Sequence, residues 1–174
     1  MEGQIWILTK LRLFLKRLRC IRDTYMITWT CKSFGELTGG ELYRVLQLRM
    51  EVFAVEQNVV YQDCDGKDLM SWHFMGVGDH EIVAYSRILP PGIAYPAAAS
   101  IGRVVTAKII RGQAVGKQLF EKSLEKLYEL FGDVPVTISA QLYLKKFYEA
   151  FRFVSEGASY IEDSIPHITM SRHI

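Results

Sequence analysis

Apolar and polar positions along this chain follow two periods, and the switches between them mark out its elements. Residues 27–31 (Ile-Thr-Trp-Thr-Cys) alternate with a period of two and predict a strand. Across 41–55 the period lengthens: Leu42, Val45, Leu46, Arg49 and Phe53 fall broadly on one side, which predicts a helix. Residues 56–70 are polar and acidic and read as a long loop. Two strands follow at 72–77 and 81–89, with Gly78-Asp79-His80 as the turn; without Asn-Gly the pattern does not select a hairpin type. Pro90, Pro91, Gly92 and Pro96 mark another loop, and 98–106 reads as a strand. Residues 114–131 carry the clearest helical pattern. Val115, Leu119, Phe120, Leu124, Leu127 and Phe131 form an apolar stripe, Lys117, Glu121, Lys122, Glu125, Lys126 and Glu129 face mostly outward, and Gly132-Asp133 ends the run. A buried strand at 134–140, a short helix at 142–151 and strands at 153–155 and 166–170 complete the chain. This order is α+β: a mixed, mostly antiparallel sheet with helices on its faces.

Residues 1–25 stand apart. Lys10, Arg12, Lys16, Arg17, Arg19 and Arg22 oppose only Glu2 and Asp23, so the formal charge of +2 originates there and the rest is slightly acidic. That balance gives no electrostatic reason to expect nucleic-acid binding. Leu8, Leu11, Leu15, Leu18 and Ile21 recur at helical spacing. An amphipathic basic helix on a membrane surface, an upstream extension preceding the domain, and a docked structural helix all fit this segment. Lys10 and Arg12 interrupt the apolar run, which makes it a poor signal peptide and too charged to span a bilayer. The remaining length suits one domain, 26–174, and 49% hydrophobic residues argue against disorder. Three cysteines (Cys20, Cys31, Cys64) fit neither a zinc pattern nor a disulfide framework, and a reducing cytoplasm is the simplest compartment.

The join between the strand at 98–106 and the helix at 114–131 carries the most chemistry. Arg111-Gly112-Gln113-Ala114-Val115-Gly116-Lys117 leads a glycine-bearing loop into a helix N-terminus, where unpaired N–H groups and the helix dipole suit a pyrophosphate. Side chains at Gly112 or Gly116 would obstruct close approach of backbone to ligand. A Walker-type loop fits poorly: the glycines stand one residue too close, and Gln118 occupies the place of the Mg²⁺-binding Ser or Thr. The loop resembles the coenzyme A loop of the GNAT acyltransferases, Arg/Gln-x-x-Gly-x-Gly/Ala, with Arg111 and Gly116 at its first and last positions. Ala114 replaces the middle glycine, and an alanine there requires a negative φ.

From Met26 onward the chain resembles the ElaA family of GNAT N-acyltransferases. Four blocks carry the likeness: 46–57 running into 61–69, Ala84-Tyr-Ser-Arg87-Ile-Leu, Ile101-Gly-Arg103-Val-Val with its loop, and Phe147-Tyr148-Glu-Ala-Phe151-Arg-Phe153 with Ile165-Pro-His167-Ile. The resemblance implies the GNAT acyl-CoA N-acyltransferase fold and acyl transfer from acetyl-CoA, or another acyl-CoA, to a small-molecule or peptide amine. It also implies that backbone groups of Val104, Val105 and Thr106 pair with the pantetheine arm and that the Arg111–Lys117 loop takes the pyrophosphate. No metal is expected. An exposed edge strand offers a route to a homodimer.

Further residues carry candidate chemistry. The resemblance casts Tyr148 as the acid that protonates the leaving thiolate; by position alone it is a core tyrosine beside Phe147 and Phe151. The strand before the loop offers no carboxylate, which leaves Glu56, His73, His167 or a water chain as the base. A backbone N–H near Val104 or Val105 is a candidate oxyanion donor. Arg49, Arg87 and Arg103 lie on apolar elements and need carboxylate partners, for which Glu51, Asp63, Asp65 and Asp68 are available; they either shape the acceptor pocket, with His167 lining it, or specify the fold. Asp63-Cys-Asp65-Gly-Lys-Asp68 resembles the start of a calcium loop but lacks its later glutamate. A non-catalytic acyl-CoA sensor or protein-interaction module is the alternative to an enzyme.

Overall fold

The turn that the sequence left undefined is a two-residue type I′ turn, because Asp79 and His80 both take positive φ (50° and 66°). It joins β2 (Trp72–Gly78) to β3 (Glu81–Leu89), which lie between β1 (Thr28–Ser33) and β4 (Ser100–Thr106) in a four-stranded antiparallel sheet. The computed structural model describes residues 26–173; the basic segment 1–25 and its expected helix lie outside the described residues. A second sheet has the order β5 (Val136–Gln141), β7 (Ile165–Arg172), β6 (Val154–Glu162), again antiparallel throughout. Asp163 and Ser164, also at positive φ, turn β6 into β7.

The sheets meet through one short parallel contact. Ala99 bridges Val136, its N–H donating to the Pro135 carbonyl (2.9 Å) and its carbonyl accepting from Thr137 N–H (3.0 Å). Beyond it β4 pairs only with β3 and β5 only with β7, so the two strands part. The backbone groups on the outer edge of β4 are therefore left without a strand partner.

Helices cover both faces. Helix α1 (Gly39–Arg49) buries Val45 and Leu48, with Val52 just beyond, against Met75, Ile82, Tyr85 and Val105. Helix α2 (Val115–Phe131) presses Leu119, Phe120, Leu124 and Leu127 on the opposite face, against Phe74, Ala84, Ile88 and Ile101. Neighbours such as Phe74 and Met75 enter different clusters because successive strand side chains point to opposite faces.

Three elements depart from expectation. The helix expected at 41–55 starts at Gly39, where Thr38 and Glu41 form a capping box. It then widens into a π-helix over Met50–Glu56, with Gln57 N–H donating to Val52 carbonyl and Val59 N–H to Ala54 carbonyl. β6 spans nine residues instead of the expected three. It is an exposed edge strand with a register shift between Glu156 and Tyr160, and no alternation of apolar residues marks it in sequence. The segment 142–151 divides into a 3₁₀ turn, Leu142–Leu144, and the short helix α3, Lys145–Glu149. Among the described residues no helix is long and apolar enough to cross a membrane.

Candidate functional site

The parting of β4 and β5 opens a cleft of about 610 Å³. Gly102, Arg103 and Val104 line one side, Ser139 and Gln141 the other. The π-helix and the loop after it add Phe53, Gln57, Tyr61 and Asp65; Leu144 and Tyr148 come from the segment after β5; Tyr160, Glu162, Asp163 and His167 come from the β6–β7 hairpin. A bulge in β4 shapes the near wall. Tyr85 faces Val105 and Arg87 faces Gly102, so Arg103 and Val104 together oppose Ser86. Arg103 takes φ +51°, a conformation unfavourable for a residue with a Cβ.

Asp63 holds Arg103 there. Its Oδ1 accepts from Arg103 Nε (2.8 Å) and Tyr61 hydroxyl (2.7 Å), and its Oδ2 accepts from Arg49 Nε (2.8 Å). Asp68 Oδ1 receives Arg49 Nη1 (2.8 Å) and Arg87 Nη1 (3.0 Å), while Asp65 takes Arg87 in a two-point contact (2.6 and 2.8 Å). Arg49, Arg87 and Arg103 thus balance Asp63, Asp65 and Asp68 in charge. Burial works against the Asp68 carboxylate, but the Arg49 hydrogen bond and the charges of Arg49 and Arg87 outweigh it and hold its pKa below the ordinary value. This network pins the loop 57–66 against the sheet. It also accounts for the calcium-like spacing: all three aspartates engage guanidinium groups, and Glu51 stays exposed outside the network. Among the described residues no group of three His, Cys, Asp or Glu side chains is placed to hold a metal.

The structure separates the expected pocket residues. Arg87, Arg103 and His167 line the cleft; Arg49 is completely buried behind it and does not. His73 is also completely buried and outside the cleft lining, which removes the geometric basis for its expected role as base. Its Nε2 lies 3.1 Å from the Asp68 carbonyl, which can only accept, so Nε2 carries the hydrogen and Nδ1 accepts from the Tyr85 hydroxyl at 2.9 Å. Burial lowers the His73 pKa and keeps the ring neutral. Glu56 likewise lies outside the cleft lining; it pairs with Arg111, and that hydrogen bond lowers its carboxyl pKa.

Tyr148 is at once a core residue and a cleft residue. Its ring packs edge-on to Phe120 (5.0 Å) and Phe147 (5.1 Å), while the residue also lines the cleft. Burial raises its phenol pKa above the ordinary value, so the hydroxyl keeps its proton at neutral pH. His167 donates Nδ1–H to the Ile165 carbonyl (2.8 Å), which leaves the Nε2 lone pair as the ring's acceptor in the neutral form.

The glycine-bearing loop expected to take an anion sits between β4 and α2. Gly112 has φ +80°, a conformation that favours glycine. Ala114 has φ +58°, which corrects the expectation of negative φ: the alanine occupies the left-handed region otherwise suited to glycine. A Cβ at Gly116 would meet no protein atom within 4 Å, so internal packing does not demand glycine there. The N–H groups of 112–116 find no acceptor among the described residues, and α2 begins at Val115 without a side-chain cap. Arg111 folds back, donating to the Thr106 carbonyl from Nε (3.2 Å) and Nη2 (3.1 Å) and pairing with Glu56. Val104 lines the cleft, whereas the Val105 side chain joins the α1 core.

Sequence reasoning missed the far wall. Ser139, Tyr160 and Glu162 form a connected group there: Ser139 Oγ lies 2.6 Å from the Tyr160 hydroxyl and donates to Glu162 Oε2 at 2.7 Å. Tyr160 and Glu162 stand two apart on β6 and share a face. That i, i+2 relation was available in the sequence, but only after recognising a strand there.

Known proteins share this architecture. An acetyltransferase (GNAT) domain family matches residues 52–174. Protein ElaA of Escherichia coli (strain K12) is 43% identical over 151 residues, covering 86% of this chain and 98% of its own. The crystal structure of Escherichia coli ElaA aligns with a TM-score of 0.80 at 43% identity, covering 85% of this chain and 100% of that one. An acyl-CoA N-acyltransferase from Pseudomonas aeruginosa aligns with a TM-score of 0.81 at 44% identity, covering 84% and 99%. With its splayed strands, its open loop at the start of α2 and a likeness that spans most of both chains, this chain belongs to the ElaA family of GNAT acyltransferases.

Proposed function

We propose that the chain transfers an acyl group, acetyl in the first instance, from acyl-CoA to an amine within a ternary complex. The observation that carries this reading is the meeting of three features in one cleft: the unpaired outer edge of β4, Tyr148 and His167. The loop 112–116 adds N–H donors suited to a diphosphate, and the open space at Gly116 permits close approach of a ligand. Acyl-CoA supplies an activated acyl carbon when bound. Holding amine and thioester in one orientation provides much of the rate enhancement. Tyr148 gives its proton to the departing sulfur and His167 Nε2 accepts one from the acceptor nitrogen, so amide and thiol leave neutral, and the imidazolium and phenolate that remain are reset when a proton returns from His167 to Tyr148 through solvent. The Val104 backbone, bulged toward the cleft, is a candidate donor to the carbonyl oxygen as negative charge develops.

The test is thiol release from acetyl-CoA across a panel of amines, with CoA binding measured by calorimetry. Tyr148→Phe is expected to lower turnover by roughly 10²-fold, within the range for loss of a general acid, while CoA binding stays. Unchanged thiol release in Tyr148→Phe refutes the acid assignment, and CoA binding with no release from any amine favours the sensor reading.

A further inference from the structure

We propose that the acceptor is a polycationic amine: a primary amine with a second ammonium group a few carbons away, held by Glu162 and Asp163 near the rings of Tyr95 and Tyr160. This inference rests on the acyltransferase reading and concerns the far wall of the same cleft.

The two walls differ in charge balance. On the β4 side, the carboxylates of Asp63, Asp65 and Asp68 are matched by Arg49, Arg87 and Arg103, and Lys67, which also lines the cleft, adds a positive charge with no ion pair among the described residues. On the hairpin side, Glu162 and Asp163 line the cleft and form no ion pair with a described residue. The Glu162 carboxylate is nevertheless held in place. Because Ser139 gives its hydrogen to Glu162 Oε2 (2.7 Å), its oxygen accepts from the Tyr160 hydroxyl (2.6 Å), and the chain runs in one direction toward the carboxylate. Only one carboxylate oxygen is engaged, so the other remains available as an acceptor.

Two further observations point to a cationic ligand. Tyr95 and Tyr160 both line the cleft, and aromatic rings near carboxylates suit an ammonium group. Burial, followed by the fields of Tyr160, Glu162 and Glu156, pushes the Tyr95 phenol up to about 12, which places Tyr95 within the negative field of the wall. Separately, His167 is about nine-tenths buried, lines the cleft, and has an Nε2 with no partner among the described residues. Its ring stacks on Tyr160 (6.2 Å, 24°), so the site that takes a proton from the reacting nitrogen adjoins the anionic wall. An acceptor bearing a carboxylate would be repelled there, and a monoamine, once deprotonated to react, would leave Glu162 and Asp163 unmatched.

Three acceptors of similar length distinguish these cases: 1,5-diaminopentane, pentylamine and 5-aminopentanoate. CoA is titrated first, and each acceptor is then titrated into the CoA-saturated protein. The diamine is expected to bind about 10-fold more tightly than pentylamine, and 5-aminopentanoate more weakly than both. Glu162→Gln should bring the diamine down to the level of pentylamine, and Ser139→Ala should remove part of its advantage by releasing the carboxylate; circular dichroism confirms that each variant is folded. Tighter binding of 5-aminopentanoate, equal binding of all three, or a diamine advantage that survives Glu162→Gln combined with Asp163→Asn overturns the proposal. Failure of CoA to bind refutes the acyltransferase reading instead, and the same ranking on the free protein still decides the chemistry of the wall.

Discussion

Replacing Ala114 by glycine is expected to stabilise the protein, an uncommon direction for a substitution to glycine. Ala114 sits at φ +58°, ψ +13°, immediately before α2. The left-handed conformation brings Cβ close to the following carbonyl and costs a non-glycine residue about 1–2 kcal/mol. Glycine removes that penalty but gives the unfolded chain more freedom to lose, an opposing effect of about 0.4–1 kcal/mol. Residue 114 is the N-cap rather than part of the helix interior, so glycine incurs no helix-interior penalty, and it is a better N-cap than alanine. The net gain is about 1 kcal/mol, which raises Tm by about 2–4 °C for a protein of this size. Differential scanning calorimetry and urea unfolding of the two proteins provide the measurement, with two neighbouring sites as controls. Gly112→Ala, at φ +80°, should destabilise by about 1 kcal/mol, whereas Gly116→Ala, with no protein atom within 4 Å of the added methyl, should stay within about 0.5 kcal/mol. If Gly116→Ala then weakens CoA binding while its Tm is unchanged, the space at Gly116 serves the ligand. A lower Tm for Ala114→Gly refutes the reasoning, because the methyl group must then contribute packing that exceeds the backbone strain.

Other perturbations test the electrostatics. Arg49→Met leaves Asp63 and Asp68 each short of one partner in a buried setting and is expected to destabilise by about 3 kcal/mol, read as a lower urea midpoint. Stability should fall on acidification in two stages. Burial depresses the His73 pKa, so below about pH 6.5 the unfolded chain binds a proton that the folded one does not; below about pH 4 the unfolded forms of Asp65 and Asp68, both lowered in the fold, do the same. Urea midpoints at pH 7.5, 5.5 and 4 follow both stages, and a flat response between the first two contradicts the His73 assignment. Glu56→Gln frees Arg111 from an exposed ion pair and should tighten CoA binding by up to about 5-fold at low salt, a gain that 0.5 M NaCl removes.

Local pattern was sufficient wherever one face of an element had to be buried. The stripe from Val115 to Leu127 placed α2 to within a residue of its observed start, and the mainly apolar runs on either side of Gly78-Asp79-His80 placed β2 and β3. Glycines at 112 and 116 marked the loop, although the φ of Ala114 ran against expectation because surrounding structure, not residue preference, sets that dihedral. Pattern failed on β6, whose exposed edge has no apolar alternation, and with it the pairing of Tyr160 and Glu162 was lost. The site residues show the same division. The residue types were visible: Tyr148 in an aromatic run, three arginines on apolar elements, and histidines at 73 and 167. Their positions relative to the cleft were not. His73 and His167 each lie on a strand, yet β2 carries the former into the interior of one sheet while β7 brings the latter to the gap between sheets.

The sequence by itself determined the α+β class, the strand–loop–helix join at 106–115 and the family, because each is encoded by residues near one another in the chain. Only the tertiary structure decided which charges cancel and which face the cleft. Arg103 meets Asp63, and Ser139 meets Glu162, across 40 and 23 positions of sequence, and such pairings depend on how the strands pair and where β4 and β5 part.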